Sequence, residues 1–157
     1  MFRIGIGNDI HRLVEGRKLF LGGVRVKFDK GAEGHSDADT LLHAITDALL
    51  GALALGDLGV HFPDSDPQWK DANSKQLLAH ATQLAFDRGF SVVNVDATIM
   101  LERPQLRRYI LSMRKNIASV LGVELSRVSV KAKTAEGLDA VGQGLAVSAK
   151  AIVLLEA

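Results

Sequence analysis

The chain has no cysteine, which removes disulfides, thiolate metal ligands and cysteine nucleophiles from its chemistry. It also has no excess of charge. With 19 basic residues against 18 acidic ones and a net charge of +1, no general attraction to nucleic acid or to an anionic membrane follows. Any phosphate must be met by local residues. No apolar run is long enough to span a bilayer, since Leu41 to Leu55 is interrupted by His43, Thr46 and Asp47. No stretch reads as a secretory signal, and we expect a cytoplasmic protein, or one of the plastid stroma if a transit peptide has been removed. Gly142 and Gly144 lack both the strand-turn-helix context and the lysine of a nucleotide fingerprint. What remains is an ordinary globular composition, 47% hydrophobic and 24% charged. Its 157 residues predict one domain over 1–157 with a substantial core.

The stretch with most chemical content is Gly7-Asn8-Asp9-Ile10-His11. Apolar residues at Phe2, Ile4, Ile6 and Ile10 with glycines between them predict a strand over Phe2 to Ile10. Side chains two apart share a face, so Asp9 and His11 project together. A strand-end polar pair would look the same. One further imidazole would complete the three-ligand set of a catalytic zinc site with an open fourth position. His43 is the candidate, in a helix predicted to start at Ser36 as N-cap, with Asp37 and Asp39 in its first turn. That helix is expected to end near Leu55, with Leu41, Leu42, Ile45, Ala48, Leu49 and Ala52 as its apolar stripe. Asp39, His43 and Asp47 are four apart and share one side, where a carboxylate could orient the imidazole or simply face water.

Elsewhere, Arg12 to Lys18 reads as a polar connection, Leu19 to Val26 as two short strands around a glycine turn, and Lys27 to Gly34 as a loop. That loop leads to His35 and Ser36 at the helix start, where free N–H groups would favour an anion. Gly56 to Pro67, with three acids and two prolines, reads as a binding or lid loop. His61 and His80 are expected at the surface. Ser74 is expected to cap a second helix reaching Arg88, with Gly89 as its stop. Ser91 to Leu101 reads as a strand with Val93, Val95, Ala97, Ile99 and Leu101 on its dry face. Pro104 suits the first turn of a third helix bearing Leu106, Ile110, Met113, Ile117 and Leu121. A strand from Val128 leads to Lys133, Thr134 and Glu136, a cation, a hydroxyl and a carboxylate suited to a metal-bridged phosphate or to a capped strand end. Gly137 to Gly144 reads as irregular and Leu145 to Leu155 as a closing strand. The fold class is therefore α+β, α/β layers with a mixed β-sheet and helices packed on one face. Apolar residues on the second face of the last strand, Ile152 and Leu154, suggest that other subunits cover it.

These blocks, taken in order, make the whole chain similar to the 2-C-methyl-D-erythritol 2,4-cyclodiphosphate synthase family of the non-mevalonate isoprenoid pathway. The motifs that carry the resemblance are Asp9-Ile10-His11-Arg12, Gly34-His35-Ser36-Asp37-Ala38-Asp39, Leu42-His43-Ala44-Ile45-Thr46-Asp47-Ala48-Leu49-Leu50-Gly51-Ala52, Gly56-Asp57-Leu58-Gly59 with Phe62-Pro63-Asp64, Glu102-Arg103-Pro104, and Val130-Lys131-Ala132-Lys133-Thr134-Ala135-Glu136. The resemblance implies a homotrimer, its sheets around a central cavity and its active sites between adjacent subunits. The implied substrate is 4-diphosphocytidyl-2-C-methyl-D-erythritol 2-phosphate. Its 2-phosphate would attack the β-phosphorus, close a cyclic diphosphate and expel CMP. No nucleic acid and no membrane is expected as a partner.

Residue by residue, the resemblance implies that Asp9, His11 and His43 hold Zn2+ or another divalent transition metal. Glu136 would hold Mg2+ or Mn2+ at the diphosphate. His35 and Thr134 would be catalytic, with His35 and Ser36 contacting the 2-phosphate and erythritol. Ile10 lies within the metal motif. Asp57, Leu58 and Gly59, then Phe62, Pro63, Asp64, Ser65 and Asp66, match the erythritol-binding loop. Leu101, Glu102, Arg103, Pro104, Gln105, Leu106 and Arg107 match the segment that reads cytosine from a neighbouring subunit. Lys133, Thr134, Ala135 and Glu136 match the diphosphate side, and Ala140 and Gln143 stand where further phosphate contacts occur. The chain departs from the common pattern at Asn8, at Gln105 and over Asp139 to Leu145. Those departures bear on how the phosphates are held near Gln143 and on whether the cavity binds an isoprenoid diphosphate. Two rivals have weaker support. A two-metal phosphoesterase that also begins Asp-x-His needs an Asn-His pair, which is absent. A non-catalytic binding protein would have no need of His35, Thr134 and Glu136 together.

Overall fold

The computed structural model describes residues 1–157. Strand β1 (Phe2–Glu15) pairs antiparallel with β7 (Ala146–Glu156), in register from Phe2 opposite Glu156 to Arg12 opposite Ala146. It outruns the expected strand end at Ile10 because β4 (Lys30–Ala32) pairs with its last residues, Leu13 to Glu15. On the far side of β7 lies β5 (Ser91–Met100), antiparallel to it, and then β6 (Val128–Lys133), parallel to β5. The order of the five-stranded sheet is β4-β1-β7-β5-β6, while β2 (Leu19–Leu21) and β3 (Val24–Val26) form a separate hairpin. Helix α4 (Ile110–Leu121) lies in the crossover that the parallel pair requires. The mixed sheet and the single helical layer match the fold class expected from the sequence.

Helix α1 (Thr40–Ala52) packs on β1, β7 and β5, and α3 (Ser74–Phe86) packs against α1 and α4. Two glycines set the depth of that packing. A Cβ at Gly5 would stand 1.9 Å from the Ala48 carbonyl oxygen, and one at Gly7 would stand 1.8 Å from that of Ala44. Helix and strand thus approach as only glycine allows. The apolar side of β1 faces the other way, leaving Phe2, Ile4, Ile6 and Ile10 between 60% and 69% exposed. Ile152, opposite Ile6 on β7, extends this bare apolar face.

Several elements differ from the sequence reading. The N-cap of α1 is Asp39, not Ser36: Leu42 N–H donates to Asp39 Oδ1 at 3.0 Å. The Ser36 hydroxyl instead takes the Ala38 N–H, one turn too early to cap. Asp39 also accepts N–H bonds from Gly22 and Gly23, and burial pushes its carboxyl up. It is fully occupied away from His43. Asn73 rather than Ser74 caps α3, accepting the Lys75 N–H. Pro104 lies ahead of a 3-10 turn at Arg107–Tyr109, and α4 starts only at Ile110. A bulge between Val92 and Asn94 puts Val92, not Val93, on the dry face of β5. Two expected loops carry single helical turns, α2 (Leu58–His61) and α5 (Asp139–Gly142).

Candidate metal centre and substrate cleft

Beyond Gly5 and Gly7, the helix-facing side of β1 continues with Asp9 and His11. The close approach that the glycines permit brings His43, on the first turns of α1, down upon them. His11 Nε2 lies 2.9 Å and His43 Nδ1 3.1 Å from Asp9 Oδ2, and the two ring nitrogens are 3.4 Å apart. Ligand atoms about 2.0–2.1 Å from a tetrahedral ion stand roughly 3.3 Å from one another, so this triangle has the size a zinc ion needs. A carboxylate and two imidazoles are also a donor set that zinc accepts. His11 Nδ1 is 2.7 Å from the Glu33 carbonyl, which can only accept. Nδ1 therefore carries a proton, and Nε2 is the nitrogen turned toward Asp9 and toward a metal. Burial alone would raise the Asp9 carboxyl, but hydrogen bonds and charge from His11 and His43 outweigh it and hold the group at about 2. For His11 burial acts downward, and Asp9 overrides it to leave the imidazole above its ordinary value.

The centre opens into a cleft of about 850 Å³, lined by His35, Ser36, Leu58, Gly59, Phe62, Pro63, Asp64 and Ser65 among others. Asp47, on α1, accepts the Leu58 N–H at 2.7 Å and so anchors α2 at the rim. Its role is to place this loop, not to orient His43, and burial raises its carboxyl, helped by the charges of Asp57 and Asp9. Asp57 caps α2 through the Val60 N–H, and Asp66 caps the next 3-10 turn through the Gln68 N–H. The floor of the loop is Phe62, buried edge-on against Trp69 with ring centroids 4.8 Å apart. His80 leans on both rings from an exposed position, while His61 is half-buried and bonded to the Leu55 carbonyl. His35 is exposed, with Nε2 3.7 Å from Asp64 Oδ2 across the cleft mouth. It lies too far ahead of Thr40 to use the helix N-terminus. Arg17 holds its loop instead, donating to the Gly34 and Ser36 carbonyls. Ile10 is on the opposite face of the strand.

The remaining expected site residues gather elsewhere. Leu101, Glu102, Pro104, Gln105, Leu106 and Arg107 line a hollow of about 430 Å³ together with Lys133 and Thr134. Arg103 and Gln143 border an adjoining one. The Glu102 carboxylate accepts the Ala135 N–H at 3.0 Å and ties the two segments together. Lys133, Thr134, Glu136 and Ala140 are all exposed, and none of them lines the cleft above the metal triad. Sequence reasoning missed Arg17, the Glu33 carbonyl, Trp69 and the part played by Ser74. A carbonyl has no sequence signal, and Ser74 carried only the signal of a cap.

A family model described as the YgbB family matches residues 2–156. The chain is 56% identical to the 2-C-methyl-D-erythritol 2,4-cyclodiphosphate synthase of Trichlorobacter lovleyi, over 98% of both chains. It superposes on a solved 2C-methyl-D-erythritol-2,4-cyclodiphosphate synthase in a CDP-bound form with TM-score 0.92 and 39% identity, covering 98% of this chain and all of that one. The bifunctional IspDF from Campylobacter jejuni matches with TM-score 0.94 and 38% identity, over 99% of this chain and 42% of that one. No helix here is long and apolar enough to cross a membrane.

Proposed function

Because the chain belongs to the YgbB family, we propose that it closes 4-diphosphocytidyl-2-C-methyl-D-erythritol 2-phosphate into the 2,4-cyclodiphosphate and releases CMP. An oxygen of the 2-phosphate forms a bond to the β-phosphorus as the bond to the CMP oxygen breaks. Nucleophile and electrophile belong to one molecule, so catalysis consists of alignment and charge neutralisation. The observation that carries this reading is the meeting of Asp9, His11 and His43 at the base of a cleft that His35 overhangs.

Asp9, His11 and His43 would hold zinc, which when bound supplies a Lewis acid at a phosphate oxygen. His35 and Ser36, anchored by Arg17, contact the 2-phosphate end. The loop from Asp57 to Asp66 excludes water and receives the erythritol hydroxyls. Thr134 and Lys133 align the diphosphate, and Glu136 would hold magnesium or manganese, ions that use few carboxylates and complete their shell with phosphate and water. Leu101 to Arg107 receives cytosine. These last groups do not line the cleft above the triad, which supports their serving the triad of an adjacent copy in a homotrimer, with the bare apolar face of β1 and β7 turned to its interior. The CDP in a related structure supports a cytidine nucleotide as ligand, and bacterial relatives support the cytoplasm as its place of work.

The test is phosphorus NMR with parallel detection of CMP, on purified protein with zinc, magnesium and the diphosphocytidyl substrate. A cyclic diphosphate appearing in step with CMP is expected. CMP with a linear phosphate would make the protein a hydrolase, and zinc bound without turnover would make it a binding protein.

A further inference from the structure

His43 has two ring nitrogens, and they face opposite demands. Nδ1 lies 3.1 Å from Asp9 Oδ2, among the metal-binding atoms. Nε2 lies 2.9 Å from the hydroxyl of Ser74, the fully buried first residue of α3. That hydroxyl also bonds to Asp37 Oδ1, while the Ser74 backbone N–H donates to Asp37 Oδ2 at 3.0 Å. A carboxylate only accepts, so the serine proton is committed to Asp37. Toward His43 the Ser74 oxygen can then only accept, so it offers Nε2 a proton acceptor at 2.9 Å, as Asp9 Oδ2 offers one to Nδ1 at 3.1 Å. The Ser36 hydroxyl, 3.3 Å from Nε2 and already accepting the Ala38 N–H, lies on the same side as a longer contact.

We propose that Asp37 and Ser74 are positioning residues, a relay that fixes the His43 proton on Nε2 and so keeps Nδ1 bare for the metal. The inference rests on the reading of Asp9, His11 and His43 as metal ligands. Its force comes from a competition within the site. Left to itself, a neutral imidazole beside Asp9 would direct its single proton to that carboxylate, placing it on the nitrogen the metal needs. The relay offers the proton a second acceptor on the other side, closer at 2.9 Å than Asp9 Oδ2 at 3.1 Å and backed by the Asp37 carboxylate, and a metal at Nδ1 leaves it the only one. It also ties the orientation of a metal ligand to the start of α3, an element that contributes no ligand itself.

The first readout is the tautomer of His43 in the metal-free full-length chain, by long-range proton–nitrogen NMR at an alkaline pH where imidazole is neutral. The signal is assigned by its loss in His43→Ala. Nε2–H is expected in the wild type, and a shift toward Nδ1–H in Ser74→Ala. Zinc affinity of Ser74→Ala, from competition with a chromophoric chelator, should fall about 10- to 100-fold, as when other partners of metal-bound histidines are removed. Circular dichroism should be unchanged. Asp37→Asn, which disturbs the same hydroxyl, serves if Ser74→Ala fails to fold. A bare Nε2 in the wild type, or a relay variant that folds with its tautomer or its zinc affinity unaltered, overturns the relay. Failure of the wild type to bind zinc would instead overturn the metal reading, and the metal-free tautomer would still decide the relay.

Discussion

The two ends of the sheet treat polar residues in opposite ways. At the β1–α1 end, Asp9, His11 and His43 are half-buried or buried, each held by hydrogen bonds. At the β5–β6 end, Lys133, Thr134 and Glu136 stand in open solvent with little to fix them beyond a 3.4 Å bond from the Glu136 N–H to the Thr134 hydroxyl. Burial has a desolvation cost that hydrogen-bond and charge partners within the chain must offset, whereas exposed groups gain definition from whatever later covers them. One end is therefore ordered within the chain itself, and under the proposed function the other gains its definition from a neighbouring copy.

That contrast can be tested most severely by mixing. His43→Ala and Glu136→Ala should each lose roughly 100- to 1,000-fold in turnover, the scale of removing a group that neutralises charge in a transition state. If the half-sites come from different copies, dissociating and reassembling the two variants at equal amounts restores intact sites. In a random trimer about a quarter of the sites pair a sound triad with a sound Glu136. Recovery of that order, read by CMP release, is expected. No recovery from co-assembled variants would mean that both halves belong to one chain.

The next test probes the finished end by itself. Gly7→Ala drives a methyl group into the Ala44 carbonyl, where 1.8 Å is available. Overpacking of this kind costs about 1–3 kcal/mol. Any relief by outward movement of α1 would carry His43 away from Asp9, so zinc affinity should fall with stability. Leu138→Ala, at a residue 70% exposed near the other half-site, should change stability by less than about 0.5 kcal/mol. Urea titrations of both variants make the measurement. Equal losses would erase the distinction between a rigid half and an open one.

Much of this arrangement was legible in the sequence, and the reasons differ from residue to residue. The period of two in β1 was enough to put Asp9 beside His11, because strand alternation leaves no choice. The helical stripe was enough to place His43 on α1. The cap was not, because Ser36, Asp37 and Asp39 are all good capping residues and only tertiary contacts to Gly22 and Gly23 select Asp39. Asp47 stayed open for a related reason: it lies four residues from His43 on one helix side, yet its carboxylate takes the Leu58 N–H of a loop that no helical spacing points to. Val93 went to the wrong face because a bulge inserts one residue without any local signal in composition. The relay through Asp37 and Ser74 joins residues 37 positions apart, a contact that no periodicity encodes.

The smallest expected effect concerns the open face of the sheet near the unfinished end. Asp96 on β5 pairs with Lys131 on β6, both about half exposed, and the Lys131 hydrogen bond draws the Asp96 carboxyl below its ordinary 3.8. A depressed value means that the native carboxylate binds protons less readily than the unfolded one. Its contribution to stability is then present above 3.8 and disappears as pH falls through the lower native value. Asp96→Asn should therefore destabilise at neutral pH and converge with the wild type in acid. Exposed pairs are worth about 0.2–1 kcal/mol and are screened by salt, so the difference should shrink further at high ionic strength. Parallel urea titrations at neutral and acid pH, with and without added salt, would measure it. A loss of several kcal/mol that salt leaves untouched would mean that this face is covered as closely as the metal centre. The contrast between the two ends would then belong to the isolated chain, and the assembled protein would have no open half.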